Sequence, residues 1–279
     1  MAFASHAPWN PTKQDCKRAF PRVLVLGGAL AAVSGRLREG RAGCTHATFA
    51  DSSPAQLELA RAALCPDRGP QDTQFTRLAS DEVLPFPVSS FDLVVCCLGI
   101  HWRNDLPGVL VQARRTLRPD GLFLGALLGG STLSELRIAC SLAEQEREGG
   151  LSARCSPLAQ VRDAGSLLGR AGLSLPAVDV DTLTVRYPTP LDAVTHLRVL
   201  AEGNAVTARR KSLRRDTALA SAALYSTLFA EKGAEQPQGV PSTFQVVYMT
   251  GWAPHENQPA AKRRGSATVS FADLANALP

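Results

Sequence analysis

The chain has 279 residues, of which 45% are hydrophobic, and a formal net charge of +5. That length and apolar content can bury a sizeable core without staples, while no apolar run approaches the ~18 residues of a membrane span and no signal-peptide segment opens the chain. Its seven cysteines (Cys16, Cys44, Cys65, Cys96, Cys97, Cys140 and Cys155) show neither a C-x-x-C pair nor zinc spacing, which fits a reducing compartment better than a disulfide scaffold.

In chain order, Arg22 to Leu26 is a short apolar strand, and Gly27-Gly28 turns into a helix with Leu30, Val33 and Leu37 at helical spacing. His46 to Ala50 forms the second strand, with Asp51 at its carboxyl end and Ser52-Ser53-Pro54 opening a helix. Asp51 either caps that helix or serves a ligand at the strand end. Gln74 to Leu78 makes a third strand and leads to Ser80-Asp81.

The organising stretch runs from Phe86 to Gly130. Phe91 to Leu98 is an apolar run broken only by Asp92, the pattern of a strand buried on both faces. Gly99-Ile100-His101-Trp102 comes next, at its carboxyl end. A helix from about Leu106 to Leu117 is closed by Arg118-Pro119-Asp120-Gly121, and Leu122 to Leu128 is the next strand. Strand, helix and strand in this order make a parallel crossover, and such sheets bind ligands beyond the carboxyl ends of their strands. His101, Trp102 and Gly129-Gly130 are therefore candidate site positions.

Ser131 to Glu148 reads as a helix with an apolar stripe of Leu133, Leu136, Cys140 and Ala143. Arg137, Ser141, Glu144 and Glu148 share the opposite, solvated face, with Glu144 and Arg147 spaced for an i,i+3 pair. Pro157 to Ala171 is another helix, Val178 to Tyr187 an alternating strand, and Leu191 to Glu202 and Arg209 to Ala230 two further helices before a last strand from Thr243 to Trp252. Positive charge gathers at Arg209-Arg210-Lys211 with Arg214-Arg215 and at Lys262-Arg263-Arg264. With 6% aromatic residues and none beside these runs, nucleic acid is disfavoured, and a solvated face, an acidic partner or a peripheral membrane contact is expected.

FDLVVCCLGIHW, NDLPGVL and LRPDGLFLGALLGG resemble the fourth and fifth strands of class I S-adenosylmethionine-dependent methyltransferases, in the branch of the malonyl-carrier-protein methyltransferases. TLSELR, AEQEREGG, LLGRAGL and RGSATVSF are similar to a narrower group, the mitochondrial complex I assembly factor 5 family. The resemblance implies an α/β, Rossmann-like seven-stranded sheet, its last strand antiparallel between the fifth and sixth. Helices would cover both faces, with a helical insertion between the last two strands. It divides the chain into a short extension (1–20), the methyltransferase-like domain (21–252, insertion about 188–240) and a tail (253–279).

It further implies that S-adenosylmethionine lies over Gly27 and Gly28, with Asp51 on the ribose, Ser80 or Asp81 at the adenine edge, and Leu98 and His101 nearby. Where the family reads D-x-G-C-G-x-G, this chain has Val25, Ala29 and Ala31 in place of the acid and the later glycines. Cofactor binding is accordingly expected to be weak, and an ordinary strand-turn-helix without a ligand is the rival. Trp102, Glu135, Arg137, Glu144 and Arg147 fall on family positions near the substrate cleft.

Three functions are open to such a chain. One is hydroxylation of an arginine in an iron-sulfur subunit during assembly of NADH dehydrogenase, in the mitochondrial matrix. The others are methylation of a protein or carrier, and non-enzymatic assembly. Because oxygen chemistry ordinarily needs a metal or organic cofactor and the five histidines show no two-His-one-carboxylate spacing, the residues themselves nominate no catalytic group and no metal ligand.

Overall fold

The computed structural model of the protein describes residues 18–64, 70–210, 212–230, 239–259 and 265–266. Its sheet has seven strands in the order β3-β2-β1-β4-β5-β7-β6. The first five are β1 (Arg22–Gly28), β2 (His46–Asp51), β3 (Asp72–Arg77), β4 (Phe91–Cys97) and β5 (Leu117–Leu128), and the last two are β6 (Ser174–Tyr187) and β7 (Val240–Trp252). β1 to β5 pair in parallel, and β7 runs antiparallel between β5 and β6, as expected.

The middle stretches of the central strands are apolar because both faces are covered. Val23, Val25 and Leu93 enter one cluster, under α1 (Leu30–Arg38) and α2 (Pro54–Ala63). Leu24, Leu26, Val94 and Phe123 enter the other, under α3 (Leu106–Thr116) and α5 (Val161–Arg170). Each such side chain contributes about 1.5–3 kcal/mol on burial, which identifies these strands as the frame that holds the loops at their ends. The expected Arg118-Pro119-Asp120-Gly121 turn is instead part of β5. Arg118 reaches Asp92 at 2.9 Å, Asp120 N–H donates to Ala253 O at 3.1 Å, and the extra residues are absorbed by a register shift between Phe91 and Leu93.

Between β6 and β7 lie α6 (Pro190–Val199) and α7 (Arg215–Phe229), and α7 packs on α4 (Ser134–Glu148). Tyr187, Ala193, Tyr225, Val240 and Ala139 form a small core of their own, so the insertion is joined to the ends of β6 and β7. The α6 start has a reciprocal capping box between Thr189 and Asp192.

Three helix starts are corrected, and the first is α5, which begins at Val161 and not at Pro157. α4 starts at Ser134, after Leu133 in the left-handed region, and not at Ser131. α7 starts at Arg215 rather than Arg209, with Asp216 in its first turn and Arg214 paired to that carboxylate at 3.0 Å. The acid suits the positive helix end, and Arg209 and Arg210 precede the helix in irregular backbone. Arg210 forms an ion pair with Glu148, and Lys211 lies outside the described residues.

Gly28 has φ +67°, and a Cβ there would stand 2.2 Å from Cys97 O. Gly28→Ala is expected to cost about 3 kcal/mol or more in denaturant unfolding. Gly35 sits inside α1 with open space around its Cβ position. Gly35→Ala should stabilise by about 0.5–1 kcal/mol, so the pair separates a steric demand from the general conformational freedom of glycine.

Candidate functional site

A cavity of about 850 Å³ opens at the carboxyl ends of β1, β2 and β4 and continues under α6. Its first half is made by Gly27, Gly28, Ala29, Asp51, Ser52, Gln56, Asp81, Leu98, Gly99, Trp102 and Arg103. The opposite half is lined by Leu128, Leu183, Val185, His196, Val199, Leu200, Phe244 and Val246, with Glu202 at the end of the α6 segment. The fold thus places a charged half on the parallel strands and an apolar half on the late strands and the insertion.

Each charged group has an identifiable setting. Asp51 is 7% exposed, accepts from Ser53 N–H at 2.7 Å in the turn before α2 without capping that helix, and faces the cavity. Burial raises its pKa above the ordinary carboxyl value, partly offset by that backbone donor, while Asp81 adds a further upward push and Arg103 a downward one. Asp81 receives Ser52 Oγ–H at 3.0 Å. Ser80, the other position expected at the adenine edge, accepts from Glu82 N–H at 3.2 Å and does not line the cavity, so Asp81 takes the place beside it.

Glu82 fixes the segment after β4. Its carboxylate accepts from Asn104 N–H at 2.8 Å and Asp105 N–H at 3.0 Å, and these donors hold its pKa below the ordinary value. Leu98 has φ +56°, a costly conformation for a branched side chain, and its N–H is tied to Ala126 O at 2.8 Å. Together these contacts aim Trp102 and Arg103 at the cavity.

His101 does not line the cavity, contrary to the sequence expectation. Its side chain is 3% exposed and lies behind the wall, with Nε2 3.1 Å from Glu202 Oε1, so the group presented to the cavity is the carboxylate. Buried Cys96 and half-buried Cys97 are packing residues, and burial pushes the Cys96 thiol up to about 12.

Glu135, Arg137, Glu144 and Arg147 do not line the cavity. Glu135 is buried and accepts from Thr243 N–H at 3.1 Å and from the Thr243 hydroxyl, joining α4 to β7. Glu144 is fully buried rather than solvated. It accepts from Ser152 N–H at 2.8 Å and Arg154 Nε–H at 2.5 Å, while Arg147 lies 3.6 Å from Glu146. Arg137 donates to Thr132 O at 3.3 Å. Glu148 accepts from the Thr217 hydroxyl of α7 at 2.7 Å and Glu144 is enclosed by Ser152 and Arg154, which is why the solvated reading of this face fails.

Arg103, Glu202 and the apolar wall were missed from sequence. Arg103 carried a usable signal, since it comes directly after His101-Trp102 at the active end of a buried strand. Glu202 and Phe244 carried none, being about 100 and 140 residues from that strand end.

A family model described as "Methyltransferase domain" matches residues 22–125. The YcgJ protein of Bacillus subtilis superposes with a TM-score of 0.56 at 15% identity, over 85% of this chain and 94% of that one, which agrees with the Rossmann-like methyltransferase fold. The proteins named "Arginine-hydroxylase NDUFAF5, mitochondrial" are 41% identical in Homo sapiens, over 93% of this chain and 72% of that protein. The chain belongs to this arginine-hydroxylase family. The Danio rerio member is 47% identical over 71% of this chain, which there spans 60% of the relative's length. A malonyl-[acyl-carrier protein] O-methyltransferase of Halorhodospira halophila is 34% identical over 83% of this chain and 74% of that protein.

Asp51 offers a direct test of a carboxylate kept for a ligand. Because its folded pKa is raised, ionisation costs stability as pH rises from the ordinary carboxyl value through the folded one. Asp51→Asn should therefore raise the melting temperature at pH 7 by up to about 3 °C, with the gain vanishing at a pH below the ordinary value. A lower melting temperature at pH 7 would show that the charge serves the fold.

Proposed function

We propose that this chain is a mitochondrial assembly factor of NADH dehydrogenase that hydroxylates an arginine of a nascent iron-sulfur subunit. The observation that carries the reading is the two-part cavity of a chain whose close relatives are named mitochondrial arginine-hydroxylases. An arginine has an apolar stem and a forked cation. Leu183, Val185, Val199, Phe244 and Val246 suit the stem. Glu202, with its side chain 17% exposed and held by His101 where the two halves meet, suits the fork.

The charged half fits an adenosine-bearing cofactor in part. Asp51 and Asp81 are available for ribose and the adenine edge, and Gly27 and Gly28 keep side chains away from the turn. The methionine side fits poorly, because Val25 is fully buried in the apolar cluster and Ala29 and Ala31 replace glycines. S-adenosylmethionine, which supplies an electrophilic methyl group when bound, would thus be held weakly, mainly through Gly27, Asp51 and Asp81. The match to a malonyl-carrier methyltransferase favours methylation as the second reading.

Among the described residues no helix is long and apolar enough to cross a membrane. The proposed site of action is the matrix, with any membrane contact peripheral. The target subunit is the proposed partner.

In mitochondria depleted of the protein, mass spectrometry of the iron-sulfur subunits should show loss of one oxygen atom from an arginine, restored by the wild-type chain. Glu202→Gln should restore it about tenfold less well, because the guanidinium loses its charged acceptor, while Asp51→Ala should fail to restore it. Loss of a methyl group instead of an oxygen would establish the second reading, and an unchanged subunit mass would leave a non-enzymatic assembly role.

A further inference from the structure

Arg103 places a cation inside the charged half of the cavity. Its side chain is only 4% exposed, and a Cβ built on Gly27 would stand 3.4 Å from its Nη2. Nη1 lies 3.0 Å from Asp81 Oδ1, yet the alignment makes no hydrogen bond, and the atom is buried without a hydrogen-bond partner. A buried guanidinium donor left unaligned is costly unless something else accepts from it. Asp81 is 46% exposed at its side chain, so water weakens that pair and leaves the guanidinium open to a stronger anion.

A second feature converges on the same place. The Gly27-Gly28 turn delivers the chain into α1, a nine-residue helix whose N-cap, Ala29, makes no side-chain hydrogen bond and whose first turn holds no acidic residue. Gly27, Gly28 and Ala29 all line the cavity with Arg103. Helix N-termini favour anions through free N–H groups and the macrodipole. A guanidinium fork beside one adds bidentate donors suited to phosphate.

We propose that the Gly27-Gly28 turn, the start of α1 and Arg103 form an anion subsite, and that the ligand it takes is an adenosine nucleotide phosphorylated at the 5′ position. The inference rests on the adenosine-cofactor reading above and deepens it. On that reading Asp51 takes the ribose, and Arg103 Nη2 and Asp51 Oδ2 both stand beside Gly27, 3.4 Å and 3.8 Å from a Cβ built there. The substituent on the ribose 5′ carbon therefore meets the guanidinium. In S-adenosylmethionine that group is a sulfonium cation, which the arginine repels; in a nucleotide it is a phosphate, which the arginine and the helix end attract. The methionine carboxylate lies several bonds farther from the ribose and does not place negative charge at this point.

The test is calorimetric titration of the full chain with adenosine, ADP, pyrophosphate and S-adenosylmethionine. ADP is expected to bind about tenfold or more tighter than adenosine and tighter than S-adenosylmethionine, with pyrophosphate weaker than ADP. Arg103→Gln should bring ADP and adenosine within about twofold of one another and improve S-adenosylmethionine binding, with melting curves reporting that the variant is folded. Arg103→Lys keeps the charge without the fork and should fall between the two.

Adenosine and ADP of equal affinity in the wild-type chain would overturn the anion subsite while leaving the adenosine reading intact, as would a preference for ADP that survives Arg103→Gln. Pyrophosphate as tight as ADP would overturn the nucleotide assignment. Failure of every adenosine compound to bind would overturn the cofactor reading and this inference together.

Discussion

The cavity depends on one close approach of backbone to backbone, between Gly28 at the end of β1 and Gly99 just after β4. A Cβ on Gly99 would lie 2.6 Å from Gly28 N, and one on Gly28 would lie 2.6 Å from Gly99 N. The contact is secured by Ala29 N–H donating to Cys97 O at 2.8 Å. Two glycines therefore let adjacent parallel strands end together, and the chain leaves them in divergent directions. One becomes the start of α1 and the other the segment with Trp102 and Arg103. The space between is the charged half of the cavity, so its shape is set by the steric minimum of the strand ends.

Charge in that space is arranged by loops that meet only in three dimensions. Glu82, after β3, holds Asn104 and Asp105 by their backbone, and thereby sets where Arg103 stands against Asp81 and Gly27. Asp51 supports α2 through Ser53 while its carboxyl bears a desolvation cost at the cavity wall. A carboxylate that remains destabilised by burial, and whose backbone-acceptor role a neutral side chain would fill as well, is placed as a ligand-binding group would be.

The apolar half is a product of the insertion. α6 and α7 are joined to β6, β7 and α4 through Tyr187, Tyr225 and Val240, and the segment after α6 then lays Val199, Leu200 and Glu202 along the cavity. Buried carboxylates hold this unit in place. Glu144 with Arg154, Glu148 with Arg210 and Thr217, and Glu135 with Thr243 join α4 to the elements around it. Removing one partner of such a buried pair strands a charge, which costs more than the pair itself contributes. These acids thus define the position of the second wall without touching the cavity.

Periodicity and punctuation in the sequence located the buried central strands, their parallel crossover and the glycine turn, because a strand covered on both faces is predominantly apolar. Val23 to Leu26 and Leu93 to Cys96 show this directly. The seven-stranded order with its antiparallel last strand came from the family resemblance. Asp51 was legible as an acid at the end of a strand, and Asp81 only through the family resemblance, beside the adenine-edge position at Ser80. Tertiary structure alone decided which side of a helix is wet: Glu144 and Glu148 of α4 are polar by composition, yet Ser152 and Arg154 enclose the first and Thr217 of α7 meets the second. It also decided that His101 supports Glu202 from behind, and that Arg103 turns inward to Gly27 instead of outward to water. A local pattern records the propensity of a segment, whereas burial of a charged side chain depends on what distant segment arrives to cover it.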